Sequence, residues 1–238
     1  MIKLKILFAG LTLSYLSLMI LSCNTSGVSP TNHSRLQVIN ALAGSTPINF
    51  RLNSTQKNTT AITFPGSSGY ISVNPDSNYI QFLTASSATV LNTNNNDINR
   101  LRFIADSSYS IFLTGTTSNY SILKLNDILT NPTNSRAKIR FVNVSTDAGL
   151  LDITINGTSI YSKIAYNGVA PFVEVPAGTY EFKATKTGVT GTTLATLSNV
   201  VLANGKVYTL YAAGITTSTA LNAAFGLSVV ANLLPATK

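Results

Sequence analysis

One order of strand and turn signals occurs twice in this chain, and that duplication limits what it can fold into more than any single motif does. Arg35-Leu-Gln-Val-Ile-Asn40 aligns with Lys138-Ile-Arg-Phe-Val-Asn143 at an offset of 103 residues. At the same offset, Asn49-Phe-Arg-Leu-Asn53 aligns with Asp152-Ile-Thr-Ile-Asn156. Val73-Asn-Pro75, with Tyr79 four residues on, matches Val175-Pro176 with Tyr180. Tyr109-Ser-Ile-Phe112, ahead of Gly115, matches Tyr208-Thr-Leu-Tyr211, ahead of Gly214, at an offset of 99. Four matches in one order and nearly one register describe two copies of a single unit.

The unit is built from strands. Ile153 and Ile155 alternate with polar neighbours, and Asn156-Gly157 follows, the strongest short hairpin signal. Phe172–Val175 and Tyr180–Ala184 flank Pro176-Ala-Gly-Thr179, where Pro fixes φ and Gly takes a positive one. Val200–Leu202 and Val207–Tyr211 flank Asn204-Gly205. No segment after residue 33 carries a long 3.6-residue period; any helix is a turn or two near Leu125–Leu129. A unit of about 100 residues with some seven short strands fits an antiparallel sandwich. The expectation is all-β: two tandem antiparallel β-sandwich domains of immunoglobulin-like type, at 34–133 and 134–238, joined around Asn131–Ser135. Tyr79 and Tyr180 are expected at sandwich corners with their hydroxyls bonded to backbone. Ile128 and Leu129 in the short connector are expected to be buried and to hold the two domains in contact.

Residues 137–214 carry a recognisable pattern. A basic-apolar strand leads to Asn143, Ser145, Asp147 and Ala148, and an alternating strand ends at Asn156-Gly157. Tyr166, Val169, Phe172, Pro176, Gly178, Tyr180, Gly205, Tyr208 and Gly214 follow in order. This resembles the bacterial family called domain of unknown function 4397. The first repeat is more divergent: Ala41-Leu-Ala-Gly44 stands in place of Ser-x-Asp, and there is no Pro-Ala-Gly. The resemblance implies an exported, often lipid-anchored and often tandem architecture. It implies no chemistry.

The N-terminus gives an address. Lys3 and Lys5 precede an apolar run from Ile6 to Leu21. That run is shorter than the roughly 20 residues of a membrane-spanning helix and has the form of an export signal. Ile20-Leu21-Ser22-Cys23 resembles the bacterial lipobox, in which the cysteine receives a diacylglyceryl group and becomes the acylated N-terminus. The expectation is a lipoprotein signal peptide over 1–22, acylation at Cys23 that palmitate would label, and a lipid-anchored tether over 23–33. Two or more acyl chains anchor stably where one is marginal. Asn24, in place of the Asp that favours inner-membrane retention, points to the outer membrane, with its face left open.

Charge and composition remove several classes. The chain has 16 Lys+Arg against 8 Asp+Glu. The basic residues are scattered, so nucleic acid is not an expected partner. The one cluster, Arg136, Lys138 and Arg140, falls on one face of a strand, expected to be solvated. One Cys excludes an internal disulfide, and one His, His33 in the tether, leaves no catalytic triad. No phosphate-binding glycine loop, metal set or cofactor site is expected. What remains is a pair of carboxylates, Asp147 with Asp152 or Glu174, as in a glycosidase. Tyr161 and Tyr166 are candidates for a sugar-stacking platform. The candidate ligand-binding residues are therefore Asp147, Asp152, Tyr161 and Tyr166. The functional expectation is a non-enzymatic envelope protein that acts as a binding, adhesion or scaffold module. It would be held to the membrane by its N-terminal lipid and would have a glycan or protein partner. The alternative is a carboxylate-dependent glycan hydrolase or a carbohydrate-binding module.

Overall fold

The computed structural model describes residues 32–91, 99–189 and 191–232. The signal segment, Cys23, most of the tether and the stretch 92–98 lie outside them. In the first repeat the strands are β1 (Ser34–Asn40), β2 (Ile48–Leu52), β3 (Thr55–Gln56), β4 (Gly66–Val73), β5 (Asp76–Thr84), β6 (Arg100–Phe103), β7 (Ser108–Thr116) and β8 (Asn119–Asn126). In the second they are β9 (Arg136–Asn143), β10 (Leu151–Ile155), β11 (Thr158–Ile164), β12 (Gly168–Val169), β13 (Val173–Pro176), β14 (Gly178–Lys186), β15 (Thr193–Leu202), β16 (Val207–Ala213) and β17 (Gly226–Asn232).

Each repeat is a two-sheet sandwich. The first stacks a sheet of order β4-β1-β7-β8 on one of order β3-β2-β5-β6. The second stacks β12-β9-β16-β17, with β13 also on β9, against β11-β10-β14-β15. The all-β fold follows the alternation read from the sequence: Phe50, Phe82 and Ile111 meet in one core, and Ile153, Phe182 and Leu210 in the other. All the strand pairs are antiparallel except β1 with β7 and β9 with β16, which run parallel in equivalent places.

The duplication extends to single hydrogen bonds. Buried Asn40 and Asn143 end their strands by accepting from the amides of Leu42 (3.2 Å) and Ser145 (3.1 Å). Asn53 and Asn156 accept from the amides of Tyr79 and Glu181, both at 2.8 Å, so Tyr79 corresponds to Glu181 and not to Tyr180, one residue off the pairing expected from the sequence. Tyr180 Oη donates to the Pro176 carbonyl at 2.7 Å, the corner expected for it. A second corner is repeated: the hydroxyls of Tyr109 and Tyr208 accept from the amides of Ile104 and Ala203, each at 3.0 Å. Gly115 (φ +98) and Gly214 (φ +94) sit where an added Cβ would lie 2.2 Å from a backbone oxygen, so only glycine fits there.

The two sandwiches meet through sheet faces. Strands β1, β7, β9 and β16 are buried on both sides, β7 almost without interruption. One set of their side chains fills the two cores. The other set, Ile39, Phe112, Val142 and Tyr211 among them, forms a third apolar cluster between the repeats. The front sheets thus pack against each other, giving four layers. Phe112 and Tyr211, equivalent by the repeat, meet edge to face with centroids 5.4 Å apart.

Two expectations fail here. Ile128 is 67% exposed and Leu129 is only half-buried, so the connector does not supply the apolar contact. The Asp127 amide continues the ladder by donating to Ser108 O, which turns the Asp127 side chain inward and leaves Ile128 pointing out. Arg140 is not on a solvated face. It is 3% exposed, because the face it shares with Lys138 runs under the other sandwich.

Candidate functional site

Each of the candidate ligand-binding side chains has a partner within the fold. The Asp147 carboxylate accepts from the Thr216 amide (3.0 Å) and hydroxyl (2.6 Å) and from Ser145 Oγ (3.2 Å). It ties the β9–β10 loop to the β16–β17 loop, as aspartates in loops commonly do. Asp152 Oδ1 accepts from Ser162 Oγ (2.9 Å), the Lys163 amide (2.7 Å) and Thr187 Oγ1 (2.6 Å). Its slight burial opposes ionisation, but these three donors outweigh it and hold the carboxyl below the usual range. Asp147 and Asp152 share no hydrogen-bond partner. Glu174 lies at the surface, accepting from Thr133 Oγ1 at 2.6 Å and pairing with Arg136 and Lys138 at 3.6 Å.

The tyrosines are equally committed. Tyr161 is 5% exposed, donates to the Ile139 carbonyl at 2.6 Å and stacks on Phe141. Burial pushes its phenol well above the usual range. A ring held there is core and offers no sugar platform. Tyr166 is 37% exposed, and its hydroxyl shares a 3.0 Å hydrogen bond with Thr114 of the first repeat. It is a strut between the repeats. A depression lined by Leu52, Asn53, Thr55, Lys57 and Asn78 has a volume of about 170 Å³. Small-molecule sites are usually 300–1,000 Å³.

The densest polar constellation lies at the junction. Gln37 Nε2 donates to Ser110 Oγ (2.8 Å), which donates to Asp127 Oδ2 (2.7 Å). In the second repeat Arg140 Nε donates to Thr209 Oγ1 (2.9 Å), which donates to Asn232 Oδ1 (2.8 Å). These are the same chain of bonds at equivalent positions: Gln37 matches Arg140, Ser110 matches Thr209, and Asp127 matches Asn232. Two cross-links join the chains. Arg140 Nη2 donates to Asp127 Oδ1 in a buried ion pair. Tyr70 Oη donates to Asp127 Oδ2 (2.5 Å) and accepts from Asn232 Nδ2 (2.9 Å). Phe172, which matches Tyr70, instead lies under the Arg140 guanidinium at 4.9 Å. A further bond between loops runs from Asn222 Nδ2 to the Ser45 carbonyl at 3.2 Å.

Burial pushes the Asp127 carboxyl up, while Arg140, Tyr70 and Ser110 draw it back. Burial and the adjacent Asp127 charge raise the Tyr70 phenol far above its ordinary value, which keeps it a donor. Every buried side-chain nitrogen and oxygen among the described residues has a partner. Such an arrangement fixes an orientation. Sequence reading missed it because Arg140 was expected on a solvated face and Asp127, 13 residues away in the chain, was given no part beside it. The legible signal was apolar side chains at both parities in Ile139-Arg-Phe-Val-Asn-Val144, the mark of a strand buried on both faces. Among the described residues no group of three or more His, Cys, Asp or Glu side chains could hold a metal. Among the same residues no helix is long and apolar enough to cross a membrane.

Comparison with known proteins gives one family. The model described as "Domain of unknown function (DUF4397)" matches residues 34–154 and again 149–236. No curated protein matches the sequence. Among solved structures the chain is similar to a family CBM26 module of Amy13K from Eubacterium rectale, solved with maltoheptaose. The identity is 8% and the TM-score 0.26, over 84% of this chain and 97% of that one. It is also similar to a leucine-rich repeat protein from Bacteroides thetaiotaomicron, with 13% identity and a TM-score of 0.21. There 76% of this chain is covered but only 26% of the other, so the chain spans about a quarter of that protein's length. A provisionally named cell adhesion protein from Bacteroides fragilis matches at 8% identity and a TM-score of 0.22, over 85% of this chain and 99% of that one.

Proposed function

Because the chain belongs to the family described as a domain of unknown function, DUF4397, we propose that it is a lipid-anchored protein of the cell envelope, without enzymatic activity, whose two sandwiches serve together as one binding, adhesion or scaffold module. The observation that carries this reading is the junction. An apolar cluster and a fully satisfied polar network hold the two front sheets together. A protein that must present surfaces at a fixed angle needs such a joint, whereas loosely tethered domains reorient. The candidate carboxylates support the same reading. A glycosidase needs two of them facing a common cleft about 5–10 Å apart, and here Asp147 and Asp152 are each spent on tying loops.

The anchor rests on Lys3, Lys5, the apolar run and Ile20-Leu21-Ser22-Cys23, and the outer-membrane address on Asn24. Labelled palmitate tests the anchor: wild type takes up label and Cys23→Ala does not. Equal labelling of both, or of neither, refutes it. Membrane fractionation tests the address, and protein in the inner membrane refutes it. A glycan array, read for both retention and release of reducing ends, tests the module. Retention without release is expected; turnover that Asp147→Asn abolishes would make the protein a hydrolase.

A further inference from the structure

We propose that the outer face of the β3-β2-β5-β6 sheet is a docking surface for an anionic glycan, a polysaccharide strand bearing carboxylate or phosphate groups. This rests on the reading of the chain as a binding module and names the chemistry of its partner. The sheet's inner face carries Phe50, Leu52, Ile80 and Phe82 into the core. The alternate residues point out: Arg51 on β2, Tyr79 and Gln81 on β5, Arg100 and Arg102 on β6. Register makes them neighbours. Arg51 pairs with Gln81, Tyr79 with Arg100, and Ser77 with Arg102. With strands about 4.8 Å apart and a rise of about 3.4 Å per residue, the arginines run diagonally over roughly 16 Å.

Among the described residues the arginines are uncompensated. Among the described residues no ion pair involves Arg51, Arg100 or Arg102, and the ion pair of the first repeat, at Asp127, is made with Arg140. The one carboxylate on the four strands is Asp76, the first residue of β5, which shares the parity of core-facing Asn78. The fold does not require this charge, as the second repeat demonstrates. There Thr154 stands for Arg51, Glu181 for Tyr79 and Lys183 for Gln81, in the same register. Its charges are paired at home: Lys183 with Glu181 at 2.8 Å, and Asp152 with three donors. One copy of the unit has a neutralised outer face and the other an open row of guanidinium groups, each able to take a carboxylate or phosphate through two parallel hydrogen bonds. The row lies along the strands on the flank of the sandwich. Its guanidinium groups follow one line, which favours an extended polyanion, whose charges also repeat along a line, over separate lipid headgroups.

The test uses the full-length protein and its Arg51→Gln/Arg100→Gln/Arg102→Gln variant, with Lys183→Gln as the control on the equivalent face. Calorimetric titrations use polygalacturonate, neutral dextran of matched length, and vesicles containing an anionic phospholipid, first at low salt and then at 0.15 M, where the screening length falls to about 8 Å. Polygalacturonate is expected to bind, to weaken with salt, and to lose roughly tenfold or more in affinity in the triple variant. Lys183→Gln should bind as wild type, and circular dichroism should be unchanged throughout. No binding of polygalacturonate at low salt overturns the proposal. So does equal binding by the triple variant, equal retention of neutral dextran, or capture of vesicles without capture of polygalacturonate. Failure of the wider reading looks different: release of reducing ends, or absence of palmitate at Cys23.

Discussion

Removing one side of the Asp127–Arg140 pair is predicted to cost more than removing the other, and the asymmetry follows from which partner can change its charge. Asp127 is 4% exposed and Arg140 3%, and both lie between the sandwiches. Asp127→Ala strands a guanidinium that cannot deprotonate and takes the acceptor from Tyr70 and Ser110. Leaving one buried charge unpaired costs about 3–5 kcal/mol. Arg140→Met strands a carboxyl that keeps two hydroxyl donors and that burial already pushes toward its neutral form, so it can take up a proton. That variant should lose about 1–3 kcal/mol, the scale of unmade hydrogen bonds. The double variant should resemble Arg140→Met, so the coupling energy should equal the Asp127→Ala cost in magnitude, about 3–5 kcal/mol. Urea unfolding of the full chain reads the free energies, and thermal melting should show about 2–4 °C per kcal/mol for a chain of this size. The sign with pH is fixed as well. In Arg140→Met the folded-state pKa of Asp127 lies still further above its unfolded value. Its contribution is therefore fully present in acid and lost as pH rises through the folded value, so the gap to wild type narrows as pH falls. Equal losses for the two single variants, or a double variant equal to their sum, would refute the argument.

Three further outcomes are expected. Phe112→Ala should cost about 3–5 kcal/mol in denaturant, because it opens a cavity opposite Tyr211, whereas Ile128→Ala should stay within about 0.5 kcal/mol of wild type. Gly214→Ala should destabilise well beyond Gly157→Ala in thermal melts. Both have positive φ, but an added Cβ at Gly214 meets the Ala224 oxygen at 2.2 Å, while at Gly157 it meets nothing within 4 Å. Asp152 adds a small, solvent-screened stabilisation. It is held below its usual pKa, so the contribution is present above the unfolded value and lost as pH falls through the folded one; Asp152→Asn should flatten that acid limb, and an unchanged limb counts against the role given to its three donors.

The sandwich was legible because half-buried strands write their alternation into the sequence, as Ile153 and Ile155 do, and because Asn-Gly and Pro-Ala-Gly mark the turns. The junction was not, although its residues were in view. A period-two rule assigns every other residue of β9 to solvent, so Arg140 and Val142 fell on a face expected to be wet. That face is dry only because a second sheet covers it, a fact of tertiary packing to which local spacing is blind. Ile128 and Leu129 misled in the opposite way: apolar residues in a connector suggested burial, but β8 ends in a register that turns Asp127 inward instead. Asp147, Asp152, Tyr161 and Tyr166 were singled out by residue type and proximity in the chain, and neither property reveals that hydroxyls and backbone groups elsewhere in the fold already satisfy them.

The divergence between the repeats at the junction has a physical reason in the symmetry of the contact. Phe112 meets its own counterpart Tyr211, so the two front sheets face each other across a local two-fold relation, and identical copies would place like groups in mirrored positions. Two copies carrying both Arg and Asp would bury two ion pairs side by side, each with a desolvation penalty of several kcal/mol per ion. The chain carries the charge once. Arg140 stands opposite a glutamine counterpart, Gln37, and Asp127 has an asparagine counterpart, Asn232. Tyr70 supplies the hydroxyl that links the two chains of bonds, and its counterpart Phe172 supplies a ring face for the guanidinium. Each difference removes a buried charge or adds a donor where the network lacks one. The outer sheets went the other way, with arginines kept open on one and charges neutralised on the other. The copies therefore became complementary where they touch each other and unequal where they face solvent, which is the surface on which a partner can tell one end of the module from the other.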